Sequence, residues 1–404
     1  MILELLFLLV ENIMLVVELG RDVAGPYCGK ILAGCGAEVI KIEPLAGDPA
    51  RNAGPFKDDD PHPEKSGRFL HLNGGKKSIT LDLELASGRG LFKRLLAQAD
   101  ILVDNLGFGA LARMGLEYAA IAAANPGLII VAITYYGQDG PYRGFAASEL
   151  TAYSMSGYQY LTGDANREPV RPNFALAQYQ GGAQAATGAM AALMARDAMN
   201  IGQLVDVSIV EATCFAHGSL SAGLNLGMVY RRAGSRNLNF HPKFQYPSVT
   251  LPCKDGYVHV HFAPADPQLL AVLMEEPKLG APELWETPMG HADEFDALCL
   301  PWLARYNKQE VVQRAQELRH PFTEVLTVGE LFEDEQFKAR GMFVAVEHPV
   351  VGTVTQVGPP IRSTETEWRV ARAPLLGEHN DEIYCGRLGL SREELVILSE
   401  NKVI

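Results

Sequence analysis

Met14-Leu15-Val16-Val17-Glu18-Leu19, then Gly20-Arg21-Asp22-Val23-Ala24-Gly25-Pro26, and further on Glu38-Val39-Ile40-Lys41-Ile42-Glu43, make up the stretch that decides the fold. The two flanking runs are short and apolar, as in strands buried on both faces. Gly20 to Pro26 reads as a turn. Pro26 opens a helix predicted through about Ala33, because proline is tolerated at the first helical position. Gly34 and Gly36 close that helix. Strand, helix and strand in this order build a parallel sheet, since parallel neighbours need a crossover between them.

The pattern continues outward. Strands are predicted at Ser78–Asp82, Ile101–Asp104 and Leu128–Thr134, with a helix carrying Leu85, Leu91, Phe92, Leu95 and Leu96 between the first two. The fold class is therefore α/β, a Rossmann-like parallel sheet, and ligands of such sheets bind at the carboxyl ends of the strands. Pro44 to Gly67 is a long loop rich in Pro, Gly and Asp, the kind that is functional or mobile. Gly181 to Ala195 is nearly all small or apolar; a helix at a domain or subunit contact and a plain core helix both fit it.

From Gly227 the texture changes. Arg231, Arg232, Arg236, Asn237, Asn239, His241 and Pro242 form a polar stretch. A strand at Tyr257–Phe262 and amphipathic helices in Trp302–Leu318 follow, and Phe332 to Pro360 returns to a strand-like pattern. Three segments result: 1–226 as the large domain, 227–330 as a smaller α+β domain, and 331–404 returning to the large one.

The 404 residues exceed one ordinary core. A hydrophobic share of 48% against 21% charged suits a compact protein and excludes disorder. The net charge of -13 makes nucleic acid a poor partner, and it requires a local cluster of Arg and Lys for any anionic ligand. None of the six cysteines makes a C-x-x-C pair or zinc spacing with histidine, so no metal is expected. Cys28 and Cys35, two helical turns apart, read as buried core thiols, and free thiols fit a reducing cytoplasm. Met1 to Val10 is apolar, but it lacks a basic n-region and a cleavage site and is too short to span a bilayer. It reads as an extension into the first strand, with no membrane partner.

The chain has no P-loop, no G-x-G-x-x-G and no G-x-S-x-G. Longer segments carry the functional reading. Val23-Ala24-Gly25-Pro26 followed by Gly36 to Glu43 resembles the opening of class III CoA-transferases. Asn73-Gly74-Gly75-Lys76-Lys77-Ser78-Ile79-Thr80-Leu81-Asp82-Leu83 resembles the next block of that family. Asp104-Asn105-Leu106-Gly107-Phe108-Gly109 with Arg113-Met114-Gly115, and Tyr136-Gly137-Gln138-Asp139-Gly140-Pro141-Tyr142-Arg143, resemble two more. Gly202 to Ser208 and Ala373 to Asp381 complete six blocks in order across almost the whole chain.

The resemblance implies a dimer of interlocked rings, with coenzyme A or acyl-CoA as substrate and no permanently bound cofactor. By motif match the CoA contacts would be Val23, Ala24, Leu81, Asp82, Leu83, Glu84, Asn105, Leu106, Gly107 and Arg113. Glycine at 107 and 109 lets a ligand approach the backbone, and the planar fork of Arg113 suits phosphate. Arg113 also fits a plain surface salt bridge, and Lys76 and Lys77 fit solvated turn lysines. The family nucleophile is an aspartate that takes the acyl group as a mixed anhydride. Its position here holds Gln178, whose amide has no titratable oxygen, so no catalytic residue is expected there. The histidine of the family's racemase branch matches Ser148. The neighbouring Glu149 is either a substitute base or a cap of the helix starting near Ser148. His259 and His261, alternating on one strand face, read as ordinary strand histidines.

Three functions follow. The first is the aspartate-lacking subunit of a hetero-oligomeric CoA-transferase whose homologous partner carries the catalytic aspartate. This resembles the pairing in succinyl-CoA:(R)-benzylsuccinate CoA-transferase, an enzyme of aromatic compound degradation, and implies succinyl-CoA as donor and an acid such as benzylsuccinate as acceptor. The second is a self-sufficient isomerase or racemase using another base. The third is a non-enzymatic acyl-CoA-binding or scaffold protein.

Overall fold

The structure, a computed structural model, describes residues 13–216, 218, 223–227, 230–236, 246–261, 266–365 and 367–404. The expectations for Met1 to Val10 and for Asn237, Asn239, His241, Pro242 and Phe262 lie outside those residues. Two compact units divide the chain: 1–153 with 173–216 and 335–404, and 154–172 with 217–334. The boundaries read from the sequence stood at 226/227 and 330/331, and that reading left 154–172 in the large domain.

The first unit holds a six-stranded parallel sheet of β1 (Leu15–Leu19), β2 (Glu38–Glu43), β3 (Lys77–Thr80), β4 (Ile101–Asp104), β5 (Ile129–Thr134) and β6 (Leu204–Ser208). Their spatial order is β3-β2-β1-β4-β5-β6. The direction in which strands are added reverses between β1 and β4, which pair in parallel from Val16↔Ile101 to Leu19↔Asp104. Alternation along the strands fills both faces. Leu15, Val17, Leu102 and Ile130 pack with Phe92, Leu95 and Tyr384. Val16, Val103, Ile129 and Val131 pack on the other face with Leu32, Ala185 and Ala189. Strand positions matched the apolar runs to within one or two residues, because a strand buried on both faces is a continuous apolar segment. β6 went unread: its first three residues are not buried, so it carries no such run.

The helices include α1 (Ala24–Gly34), α2 (Ala86–Leu96), α3 (Glu149–Met155) and α4 (Leu176–Met199). α1 starts two residues before Pro26. Cys28 on α1 is buried, as expected, but Cys35, at its end, is exposed, which corrects the expectation for that thiol alone. The small-residue run lies on α4, which packs against α1 inside this unit. A Cβ on Gly182 would come within 2.5 Å of the Ala24 carbonyl oxygen, so the two backbones are in near contact.

The long loop after β2 is tied down. Arg51, fully buried, donates from Nε to Glu43 Oε2 at 2.7 Å and from a second nitrogen to Glu64 at 2.7 Å, and its guanidinium lies 3.7 Å from the Phe69 ring centre. The C-terminal segment covers the edge strand β3. Asn380 accepts from the Thr80 N–H at 2.9 Å, and Tyr384 donates to the Thr80 carbonyl at 2.7 Å. Groups that would tempt a foreign strand are thereby satisfied.

The second unit contains an antiparallel sheet of Ser248–Cys253, Gly256–His261 and Thr323–Glu324. Helices Ala292–Leu303 and Lys308–Glu317 bury Phe295, Trp302 and Val311 with it. Asn307 and Glu310 form a reciprocal cap that starts the second helix. The rings of His259 and His261 stack at 6.3 Å, and His259 lies 3.3 Å from Thr250 Oγ1. Among the described residues no group of His, Cys, Asp or Glu could hold a metal, and no helix is long and apolar enough to cross a membrane.

Candidate functional site

The site forms where β1 and β4 part, at the carboxyl ends of the strands, as sheet topology predicts. Two loops meet there. Arg21, just past β1, donates its N–H to Asn105 Oδ1 at 2.7 Å, and Asn105 Nδ2 donates back to the Arg21 carbonyl at 2.9 Å. Behind Asn105, Asp104 accepts from the Leu106 N–H at 2.8 Å and from the Tyr118 hydroxyl at 2.8 Å. Gly107 has φ +106, which a side chain would strain.

A buried charge cluster underlies the first loop. Lys41 Nζ lies 3.1 Å from Glu18 and 2.7 Å from Asp48, and it donates to the Gly20 carbonyl. Lys76 Nζ lies 2.7 Å from Glu18 and donates to the Pro26 carbonyl at 2.7 Å. Glu18 Oε2 and Asp48 Oδ2 face their ammonium groups at ion-pair distance but off the hydrogen-bond direction. Lys76 is thus neither a solvated turn lysine nor a ligand for an anion. Burial holds it down to about 8, against the pull of Glu18. Burial also works against the charge on Lys41, but the carboxylates of Asp48, Glu18 and Glu43 outweigh it and raise that group. Lys77 pairs instead with Glu38 and Glu382, at 2.6 Å each.

Above this cluster opens a cavity of about 540 Å³. The loop after β1 contributes Arg21 and Asp22, the loop after β4 contributes Asn105, Gly107, Phe108 and Arg113, and β5 with its following segment contributes Thr134, Tyr135, Tyr136, Arg143 and Phe145. Gln178 on α4 closes one wall. Arg21, Arg113 and Arg143 make no ion pair with a carboxylate among the described residues. Their backbone and ring contacts hold them: Arg21 to the Leu106 carbonyl, Arg113 to the Phe108 carbonyl at 3.2 Å, and Arg143 over the Phe108 ring at 5.2 Å. This is the local cationic cluster that an anionic ligand of an acidic protein requires.

Gln178 is 5% exposed and sits in the first turn of α4. Glu149 faces that turn: its carboxylate accepts from the N–H of Ala177 at 2.8 Å and of Gln178 at 3.1 Å. Glu149 therefore caps α4 as well as standing in the first turn of its own helix, where acid is favoured; at the start of α3, Ser148 Oγ accepts from the Thr151 N–H at 3.4 Å. The Gln178 amide donates from Nε2 to Asp22 Oδ2 at 3.2 Å. Asp22 Oδ1 accepts from Arg68 at 3.0 Å. Burial, with the carboxylates of Asp22 and Glu149 nearby, pushes the Tyr135 phenol up to about 12.

Of the residues matched by motif to CoA contacts, Asn105, Gly107 and Arg113 line this cavity. Leu81, Asp82, Leu83, Glu84 and Leu106 line a second one of about 410 Å³, with Arg21 common to both. Val23 and Ala24 line neither, being buried where α1 begins. Asp22, Arg21, Arg143 and Tyr135 carried no assigned role in the sequence reading. The one available signal was topological: Arg21 and Asp22 follow the first strand, at the end where such sheets bind ligands.

The chain matches CoA-transferase family III over residues 13–380. It is 34% identical to a succinyl-CoA–D-citramalate CoA-transferase of Chloroflexus aurantiacus, covering 96% of both chains. It is 31% identical to the subunit BbsE of succinyl-CoA:(R)-benzylsuccinate CoA-transferase of Thauera aromatica, over 90% of this chain and 91% of that one. A crystal structure of a CAIB/BAIF family protein from Brucella suis superposes with a TM-score of 0.81 at 30% identity, covering 92% of this chain and 98% of that one.

Proposed function

The chain belongs to CoA-transferase family III, and from that premise we propose that it is one subunit of a paired enzyme moving CoA from an acyl-CoA to a free carboxylic acid. In this reading succinyl-CoA is the donor, and a dicarboxylate such as benzylsuccinate is the acceptor. The partner is a homologous chain, interlocked with this one, that carries aspartate where this chain carries Gln178. The enzyme works in the cytoplasm and keeps no permanent cofactor.

The observation that carries the reading is the amide at position 178, in the wall of a cavity lined by three arginines that have no carboxylate partner among the described residues. Residue 178 can donate a hydrogen bond there, but it cannot become an acyl anhydride. CoA would lie along the two adjoining cavities, with Arg113 near its phosphates and Leu81 to Glu84 beside its apolar parts. Acyl transfer through a mixed anhydride needs an ionised oxygen and no redox step, and the guanidinium groups would hold the thioester and the acceptor's second carboxylate in place. Relatives that support subunit pairing include the alpha and beta subunits of succinyl-CoA–L-malate CoA-transferase of Chloroflexus aurantiacus, at 33% and 28% identity.

The test is co-expression with the homologue that has aspartate at the aligned position, followed by a transfer assay with succinyl-CoA and a panel of dicarboxylates. Joint purification and turnover exceeding that of either chain alone are expected. Full turnover by the partner in the absence of this chain would reject the pairing.

A further inference from the structure

The amide that cannot accept an acyl group points at a carboxylate that can. We infer that Asp22 is the acyl-accepting nucleophile of this chain's own site, in place of residue 178. The inference rests on the CoA-transfer reading and adds to the pair a second carboxylate able to carry the acyl group.

Asp22 lines the arginine-rich cavity, with Oδ2 3.2 Å from Gln178 Nε2. Its side chain is 45% exposed, and Asp22 is among the residues that line the cavity. Each oxygen accepts one hydrogen bond, from Gln178 or from Arg68, and each retains a lone pair for attack. The position is built in advance. Asp22 has φ +61, the left-handed turn conformation that aspartate tolerates, and this turn presents its side chain at the end of β1. The turn is held by Asn105 against Arg21, by Lys41 on the Gly20 carbonyl, and by Asp48 Oδ1 accepting from the Asp22 N–H at 3.4 Å. Side chains anchored on three separate segments fix the backbone that carries the carboxylate, and Gln178 and Arg68 hold its two oxygens, which is the support a nucleophile needs. A plain surface pair with Arg68 would need none of it.

The chemistry balances without a co-reactant. An Asp22 oxygen bonds to the thioester carbonyl carbon, the C–S bond breaks, and its electron pair leaves on sulfur as CoA thiolate. The thiolate then attacks the Asp22 carbonyl carbon of the anhydride, releasing the donor carboxylate and leaving CoA on Asp22 as a thioester. The acceptor carboxylate reverses the two steps, taking CoA and freeing Asp22.

The experiment uses the full chain, alone and with its homologous partner, incubated with succinyl-CoA. Hydroxylamine trapping or borohydride reduction and peptide mass spectrometry follow. A modified Asp22 is expected, together with a loss of at least about a hundredfold in the transfer that persists when the partner's aspartate is replaced, on Asp22→Asn. Asparagine keeps an oxygen for Arg68, so unchanged thermal unfolding separates a chemical loss from a structural one. If CoA is transferred but the adduct lies only on the partner and Asp22→Asn is as active as wild type, Asp22 is not the nucleophile and the CoA-transfer reading stands. If a folded complex exchanges CoA with no thioester and carries no adduct, both readings fall.

Discussion

Lys41→Met tests the buried charge cluster under the loop that follows β1. Four charges lie there, Glu18 and Asp48 against Lys41 and Lys76, all at most 4% exposed. Methionine has nearly the volume of lysine, so packing changes little, but the cluster passes from neutral to one uncompensated negative charge. Breaking a buried pair in this way costs about 3–5 kcal/mol. For a unit of this size that is a drop of roughly 10 °C in the thermal midpoint. Adding Asp48→Asn removes the orphaned charge and keeps an amide oxygen for the N–H groups of Ala50 and Asp22. The double variant should therefore lose less than the two single variants combined, by about 1–3 kcal/mol. Urea unfolding followed by circular dichroism gives all four corners of the cycle. A Lys41→Met midpoint within a degree or two of wild type, or strict additivity in the cycle, would refute the claim that the cluster is charge-balanced and dry.

Four further outcomes are expected. Stability should fall as pH drops below the ordinary carboxylate range: Glu43 and Asp48 are pulled down by Arg51 and Lys41 despite burial, so their contribution is present above the unfolded carboxylate values and is lost as acid protonates the folded groups; denaturant midpoints from pH 7 to 3 measure this, and a flat profile would contradict it. On the proposed reading, in which residue 178 holds the position of the family's nucleophile, peptide mass spectrometry of Gln178→Asp after succinyl-CoA should find an adduct at 178. The isosteric Gln178→Glu should instead set two carboxylates about 3 Å apart and cost on the order of 1 kcal/mol at neutral pH, a cost that vanishes when Asp22→Asn is added; equal melting of both variants would argue against the contact. Gly182→Val should destabilise by at least about 2 kcal/mol, because its Cβ would meet the Ala24 carbonyl at 2.5 Å and the Tyr27 ring, and an unchanged melt would mean that α1 and α4 can part freely.

The sequence alone determined the parallel sheet, the family and the amide at 178. Buried strands are written as continuous apolar runs, and the motif blocks are contiguous in the chain, so both are local signals. It could not say what Gln178 faces. Asp22 lies 156 residues away along the chain, Glu149 lies 29 away, and each reaches the amide through a different loop. Glu149 illustrates the limit. Its placement beside Ser148 suggested an acid at the start of its own helix, where it does stand, but only folding brings the start of α4 to its carboxylate, which accepts from the N–H groups of Ala177 and Gln178 there. Lys76 repeats the lesson: a lysine in a Gly-Gly-Lys-Lys turn looks solvated until α1 and β1 close over it and Glu18 meets its charge. Pairings between distant segments depend on which strands lie side by side, and only the closed sheet, with β1 against β4, put a carboxylate, an amide and three guanidinium groups around one cavity.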